Sequence, residues 1–219
     1  MPHRTTDASS PSAGGCSMAR YLGPRQRLSR REGVDLLLKS GARPFEDKCR
    51  SGARPGQCNR HQGHRPTTYC MQFRGKQRIK RYYGVLERQF SAYVRRAASV
   101  PGHAGSRLLQ ALESRLDNVV YRMGFSTTRS AARQLVSHRH VTVNAAVVHT
   151  PSYAVRAGDV VAVRSALCWE SARTMEQGCP YAWLHVRGDI AEGVFRRAPS
   201  AAELPHGLHT DRVEDLYSC

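Results

Sequence analysis

Between Ser106 and Asn144 apolar residues return first at three- and four-residue steps and then in alternation, which leaves room for two short amphipathic helices and a strand. Leu108, Leu109, Leu112, Leu116, Val119, Val120 and Met123 line one helical face, with Arg115, Asn118 and Arg122 on the opposite stripe. One face packs, and the three polar side chains are expected to stay in water. Met123-Gly124-Phe125 closes that helix because glycine accepts the left-handed cap geometry, and Ser126, Thr127 or Thr128 supplies the oxygen that starts the next. In the second helix Ala131, Ala132, Leu135 and Val136 form the buried arc. Arg129 and Arg133 stand four residues apart at its margin, a pair of guanidiniums suited to phosphates. Val141–Val143, the turn at Asn144-Ala145-Ala146, Val147-Val148, and Val160–Val163 after Ala157-Gly158-Asp159 give short strands divided by turn residues. A plain core hairpin with solvated arginines has the same periodicity, so the pattern alone leaves both readings open.

Charge supplies the next constraint. The 219 residues carry 34 Lys and Arg against 17 Asp and Glu, a formal net charge of +17 that points to a polyanionic partner. The excess is lopsided: Met18–Val100 holds 20 basic and 5 acidic side chains, Pro101–Cys219 holds 13 and 11. A half so cationic repels itself when alone and is expected to order against RNA. Its bias toward arginine favours planar, bidentate contact with phosphate, although a G+C-rich genome gives the same bias.

Residues 1–17, rich in Ser, Ala, Pro and Gly, read as a disordered tail without an export signal, with Met18 as the true start. Arg20–Gly33 is a basic arm punctuated by Pro and Gly, and Val34–Lys39 a short apolar piece, helical or extended. Gly41–Thr68 is an irregular basic loop. Gly75–Arg81 leads into Tyr82–Ser99, where Tyr82, Val85, Leu86, Phe90, Tyr93 and Val94 form an apolar stripe against Arg81, Arg88, Arg95 and Arg96, a further helix facing RNA. Ser99–Ser106 has linker composition and marks the predicted domain boundary. The domains expected are therefore 18–105, a basic N-terminal RNA-binding domain, 106–170, the helical and stranded module, and 171–219, strands and a tail packing back on the body. In the last part Trp183–Val186 and Gly193–Phe195 read as paired strands, Ala166–Ala182 is ambiguous, and Asp211–Tyr217 reads as a final helical turn.

No run of about twenty apolar residues is present, so no membrane partner is expected. The seven cysteines are an odd number and read as reduced thiols. Cys49, Cys58, His61, His64 and Cys70 bring thiols and imidazoles close in sequence, as a zinc site requires, but in no standard spacing; the preferred reading is no cofactor, with zinc as the alternative. His138 and His140 read as contacts to phosphate or 2′-hydroxyl. No nucleophile, paired carboxylates or Gly-rich phosphate loop accompanies them, so no catalytic residue and no enzyme activity are expected.

Several strings, in order along the chain, resemble the bacterial S-four family of small-subunit ribosomal proteins. They are Met18–Pro24 with Leu28–Gly33, Pro55-Gly56-Gln57, Tyr83–Phe90, Arg115–Gly124, Ala132–His138, Val143-Asn144 and Glu214–Ser218. The resemblance covers the chain from Met18 to its C-terminus. It implies an α+β protein: an irregular and helical basic N-terminal domain, followed by a helix-turn-helix RNA-binding module with a small antiparallel sheet. It further implies a cytoplasmic protein of the small ribosomal subunit, a primary binder of small-subunit rRNA that nucleates assembly of the subunit body. The family contacts ribosomal protein S-five, with which it influences translational accuracy near the decoding region, and in some bacteria it binds its own mRNA. Some members hold zinc through four cysteines, but here Gln26, Ser29 and Arg43 stand in that region and only Cys49 is retained. The stretches Gly41–Cys70 and Ala166–Ala182 also depart from the family. They keep open a diverged RNA-binding paralogue working off the ribosome. An RNA-modifying enzyme bearing the same module is the weaker alternative, since neither flank has the length or apolar content of a catalytic domain.

Expected RNA contacts are Arg25, Arg27, Arg30, Arg31 and Lys39 in the arm and Lys76, Arg78, Lys80, Arg81 and Arg88 around the basic helix. In the module they are Arg115, Arg122, Arg129, Arg133, Ser137, His138 and Asn144. Exchange of Arg129 and Arg133 for Glu is expected to weaken binding and leave folding intact.

Overall fold

A computed structural model describes residues 21–39, 43–48, 55–56, 67–164, 181–187, 191–205 and 208. Among them, seven helices precede and lead into a five-stranded sheet, the α+β class expected. The helices are α1 Arg25–Glu32, α2 Phe45–Lys48, α3 Thr68–Tyr82, α4 Glu87–Ala98, α5 Ala104–Glu113, α6 Leu116–Arg122 and α7 Arg129–Ser137. The strands are β1 Val141–Val143, β2 Ala146–Val147, β3 Val160–Val163, β4 Leu184–Arg187 and β5 Glu192–Phe195. No described helix is long and apolar enough to cross a membrane.

Two stretches that read as single helices are each broken. Tyr82–Ser99 divides at Gly84, whose left-handed φ of 64° lets the Gly84 amide donate to the Arg81 carbonyl and the Val85 amide to that of Lys80, closing α3 before α4 begins. The stripe Leu108–Met123 divides at Ser114-Arg115 for a different reason. Leu116 N donates to the Tyr153 carbonyl at 2.8 Å and Val155 N to that of Ser114 at 2.9 Å, so a distant extended segment takes backbone groups that a continuous helix would use itself. Periodicity carries no trace of that competitor.

The break separates two cores. Leu108, Leu109 and Leu112 of α5 pack with Ile79 and Tyr82 of α3, with Tyr83 just after it, and with Phe90 and Val94 of α4, whereas Leu116, Val119, Val120 and Met123 pack with α7 and the sheet. The cores thus divide after α5, one helix later than the Ser99–Ser106 stretch that composition marked; Ser99–His103 of that stretch is the turn between α4 and the α5 packed on it, and Ala104–Ser106 already belongs to α5.

Within the module the local signals hold. Gly124 has φ 81°, Phe125 N donates to the Val120 carbonyl, and Thr128 Oγ1 accepts from Ala131 N at 3.1 Å to cap α7. Asn144 and Ala145 both take positive φ, 49° and 67°, the two-residue hairpin geometry that joins β1 to β2. The sheet is antiparallel throughout in the order β2-β1-β3-β5-β4, with Leu184 opposite Phe195 and Val186 opposite Gly193 as the paired-strand reading requires. The Met123 thioether, just past the end of α6, packs over Gly193 of β5, where a Cβ would lie 2.7 Å from its Sδ and oblige that flexible side chain to shift.

The arm is more regular than expected. Arg25–Glu32 is helical from Pro24 to a left-handed Gly33, and Val34–Lys39 is non-helical with Leu36 buried beneath it. The tail 1–17, Ala166–Pro180 and Asp211–Tyr217 lie outside the described residues, as does most of the Gly41–Thr68 loop.

Candidate nucleic-acid interface

In the arm and basic helix, one carboxylate gathers several cations. Glu32, at the end of α1 with its side chain 1 % exposed, accepts from Arg74 at 3.2 Å and from Arg81, while Arg78 donates to its carbonyl at 3.3 Å. These contacts dock α1 on α3. Lys76 and Lys80 both reach Glu87 at the start of α4, Lys80 at 2.9 Å, and Arg25 donates to Ser130 Oγ on α7. So Arg25, Lys76, Arg78, Lys80 and Arg81 are half-buried and engaged in joining helices, and Arg30 is half-buried too. Arg27, Arg31, Lys39 and Arg88 are exposed and form no ion pair with a carboxylate among the described residues.

The module departs further from expectation. Arg115, Asn118 and Arg122 were predicted to face water, and all three point inward. The Arg115 side chain is 1 % exposed, donating through Nε and Nη2 to the two Asp117 oxygens at 3.1 and 2.7 Å and through Nη1 to Tyr93 Oη at 3.0 Å. Arg122 donates through Nη2 and Nε to the two oxygens of Glu113 at 2.7 and 3.0 Å and lies over the Tyr181 ring. Asn118 also donates to Glu113, and its own oxygen accepts from Arg129 Nε at 2.9 Å. Arg129 is 8 % exposed, its guanidinium carbon 3.9 Å from the Tyr82 ring centroid and 4.4 Å from that of Tyr121. Arg133, half-buried, meets Asp117 at 3.4 Å.

This network joins the two cores. Glu113 ends α5 of the first, Arg122 and Asn118 stand on α6 of the second, and Tyr83 of the first core donates to Glu113 Oε1 at 2.7 Å. Burial by itself would raise the Glu113 pKa, but the Arg122 hydrogen bonds and charge hold it below the ordinary carboxylate range. Burial and the neighbouring Glu113 charge push the Tyr83 phenol well up. Burial opposes the charge on Arg115 and Arg122, yet their carboxylates more than offset it and both pKa values rise. Such groups are held by geometry rather than offered to a ligand.

The remaining predicted residues divide similarly. Asn144 spans a turn, donating to Asp159 Oδ1 and accepting from Val160 N, both at 2.9 Å. Ser137 is exposed, but its hydroxyl donates back to the Arg133 carbonyl at 2.8 Å. His138 is exposed, its ring centroid 6.3 Å from that of His140. Between them sits Arg139, exposed and missed by sequence reading, with a left-handed φ of 65°. Of the zinc alternative, Cys49, Cys58, His61 and His64 lie outside the described residues and Cys70 is exposed in the first turn of α3. The four-cysteine arrangement of some family members does not fit here: Gln26 and Arg43 offer no thiolate, and the Ser29 hydroxyl is buried and accepts from Leu36 N. Among the described residues no cluster of three or more His, Cys, Asp or Glu forms a metal site.

Residues 20–113 match the family model described as the ribosomal protein S4/S9 N-terminal domain, and residues 114–161 match that of the S4 domain. The two matches meet where the two cores divide. The chain is 50 % identical over 206 residues to the small ribosomal subunit protein uS4 of Burkholderia cenocepacia, covering 92 % of this chain and all of that protein. The proteins of the same name from Burkholderia ambifaria and Burkholderia multivorans are 49 % and 48 % identical over the same coverage. With two cores fused through a buried arginine network, two family models that abut over residues 20–161 and relatives aligned over their full length, the chain belongs to the uS4 family of small ribosomal subunit proteins.

Proposed function

We propose that this chain is a structural, non-catalytic protein of the small ribosomal subunit that binds its rRNA directly, nucleates assembly of the subunit body and, with ribosomal protein S-five, influences translational accuracy. The observation that carries this reading is the surplus of exposed arginine on a firmly docked scaffold. Arg27, Arg31 and Arg88 project from α1 and α4, with Lys39 beside the arm and His138 and Arg139 at the end of α7. Guanidiniums without carboxylate partners on fixed helices suit phosphates of folded RNA, read by shape more than by base sequence. The names of the relatives support the ribosomal setting. The chain's own mRNA is a second RNA of the same chemistry and is proposed as an occasional ligand of the same face.

The test is binding of the purified chain to small-subunit rRNA across a salt series. Affinity should fall at least about tenfold between 50 and 200 mM salt if three or more phosphates are contacted. A flat response overturns the reading. Mass spectrometry of gradient-purified small subunits should find the chain in stoichiometric amount; absence there leaves it outside the ribosome.

A further inference from the structure

Between α1, the C-terminal end of α3 and the start of α7 lies a cleft of about 270 Å³ that the mechanism of phosphate attraction does not require. Its walls are apolar, from Leu28, Leu38, Val85 and Leu86, and Tyr21 stands at its side, 44 % exposed. Its cations are Arg25, Lys80, Arg81 and Arg133; Glu87 pairs with Lys80, Glu32 with Arg81 and Asp117 with Arg133, which leaves Arg25, donating to the Ser130 hydroxyl, without a carboxylate partner among the described residues. Arg129 and Tyr82 also line it, the guanidinium stacked on the ring. Arg129 Nη1 and Nη2 are buried with no hydrogen-bond partner among the described residues, donors that an incoming acceptor would satisfy.

A phosphate alone needs neither the volume nor the apolar walls. A peptide has no unneutralised carboxylate here to hold its amines. The size lies just below the ~300 Å³ at which small-ligand pockets begin, the scale of one base rather than a duplex. We infer that the cleft receives a single unstacked nucleotide of the bound RNA, its base among Leu28, Leu86 and the tyrosines and its phosphate at Arg25 on the rim. A nucleotide brings ring nitrogens and carbonyl oxygens of its base as acceptors, an aromatic face for apolar contact and a phosphate charge that matches the rim. Because Tyr82 and Val85 of the first core and Arg129, Ser130 and Arg133 of α7 all line the cleft, an inserted nucleotide would touch both halves of the molecule at once. This inference rests on the rRNA-binding reading above and adds an insertion site to it.

The experiment has two arms on the full chain. In the first, isotope-labelled protein is titrated with each of the four nucleoside 5′-monophosphates and, separately, with inorganic phosphate. At least one nucleotide should produce saturable shifts of the Gly84, Val85 and Ser130 amides, and equal shifts with inorganic phosphate overturn the base assignment. In the second, Leu86→Trp and, independently, Ser130→Tyr fill the cleft without changing charge. Each folded variant should lose at least tenfold in rRNA affinity, with the salt slope lowered by no more than about one, the single phosphate contact that insertion supplies. If both bind rRNA like the parent while Arg27→Glu/Arg31→Glu does not, the cleft inference fails and rRNA binding stands. If the parent itself ignores rRNA, both fail.

Discussion

Arg27 and Arg31 stand in water on α1, while Arg115, Arg122 and Arg129 of the module are wrapped by carboxylates and tyrosine rings. The residue type is the same and the surroundings are opposite. In the module each guanidinium has a partner a short chain distance away: Asp117 for Arg115, Glu113 for Arg122, Asn118 for Arg129. In the arm the carboxylates are too few, and Glu32 already holds Arg74 and Arg81. An arginine on an amphipathic helix therefore signals a ligand only after nearby acids are subtracted. The near balance of 13 basic and 11 acidic side chains beyond Val100 was that subtraction in outline.

The largest expected effect comes from breaking the buried side of this contrast. Glu113→Ala strands Arg122 and should cost about 3–5 kcal/mol in denaturant unfolding. Arg129→Glu places a carboxylate among three tyrosines beside Glu113 and should be comparably damaging, which replaces the expectation that this exchange leaves folding intact. A cooperative, parent-like transition in either variant would show that the network is ornamental. The exposed side should respond in the opposite sense. Arg27→Glu/Arg31→Glu should leave stability within about 0.5 kcal/mol, lower rRNA affinity at least about tenfold and flatten the salt slope by about two.

Acid sharpens the comparison further. The Glu113 pKa is lower folded than unfolded, so its contribution is complete above the unfolded carboxylate value of about 4.3 and is lost as pH falls from there through the folded value. Thermal unfolding should therefore decline below that point, and Glu113→Gln, weaker at neutral pH, should decline less. The smallest effects concern two residues in left-handed backbone, each costing about 1–2 kcal/mol relative to glycine. Ala145→Gly should recover about 1 kcal/mol with rRNA affinity unchanged. Arg139→Gly should gain similar stability and bind rRNA a few-fold more weakly; unchanged affinity would remove Arg139 from the interface.

Local chemistry made much of the fold legible. Gly124, Thr128 and the arc Ala132-Leu135-Val136 specified the turn and α7, and alternation specified β1, β3 and the β4/β5 pair, because each depends on neighbours within a few residues. The interface was less legible. Arg27, Arg31, Arg88 and His138 face solvent as charge and periodicity implied, whereas Asn144 was spent on a turn and Arg139 went unnoticed between two histidines.

What the sequence determined alone was the class of the protein, the cationic excess of its first half and the caps and strands set by short-range contacts. Tertiary structure decided where α5 ends, since the hydrogen bonds that split it from α6 come from Tyr153 and Val155. It also decided which arginines meet water. Burying a guanidinium is favourable only when acids and aromatic rings converge on it from separate elements, and periodicity along one helix contains no information about that convergence.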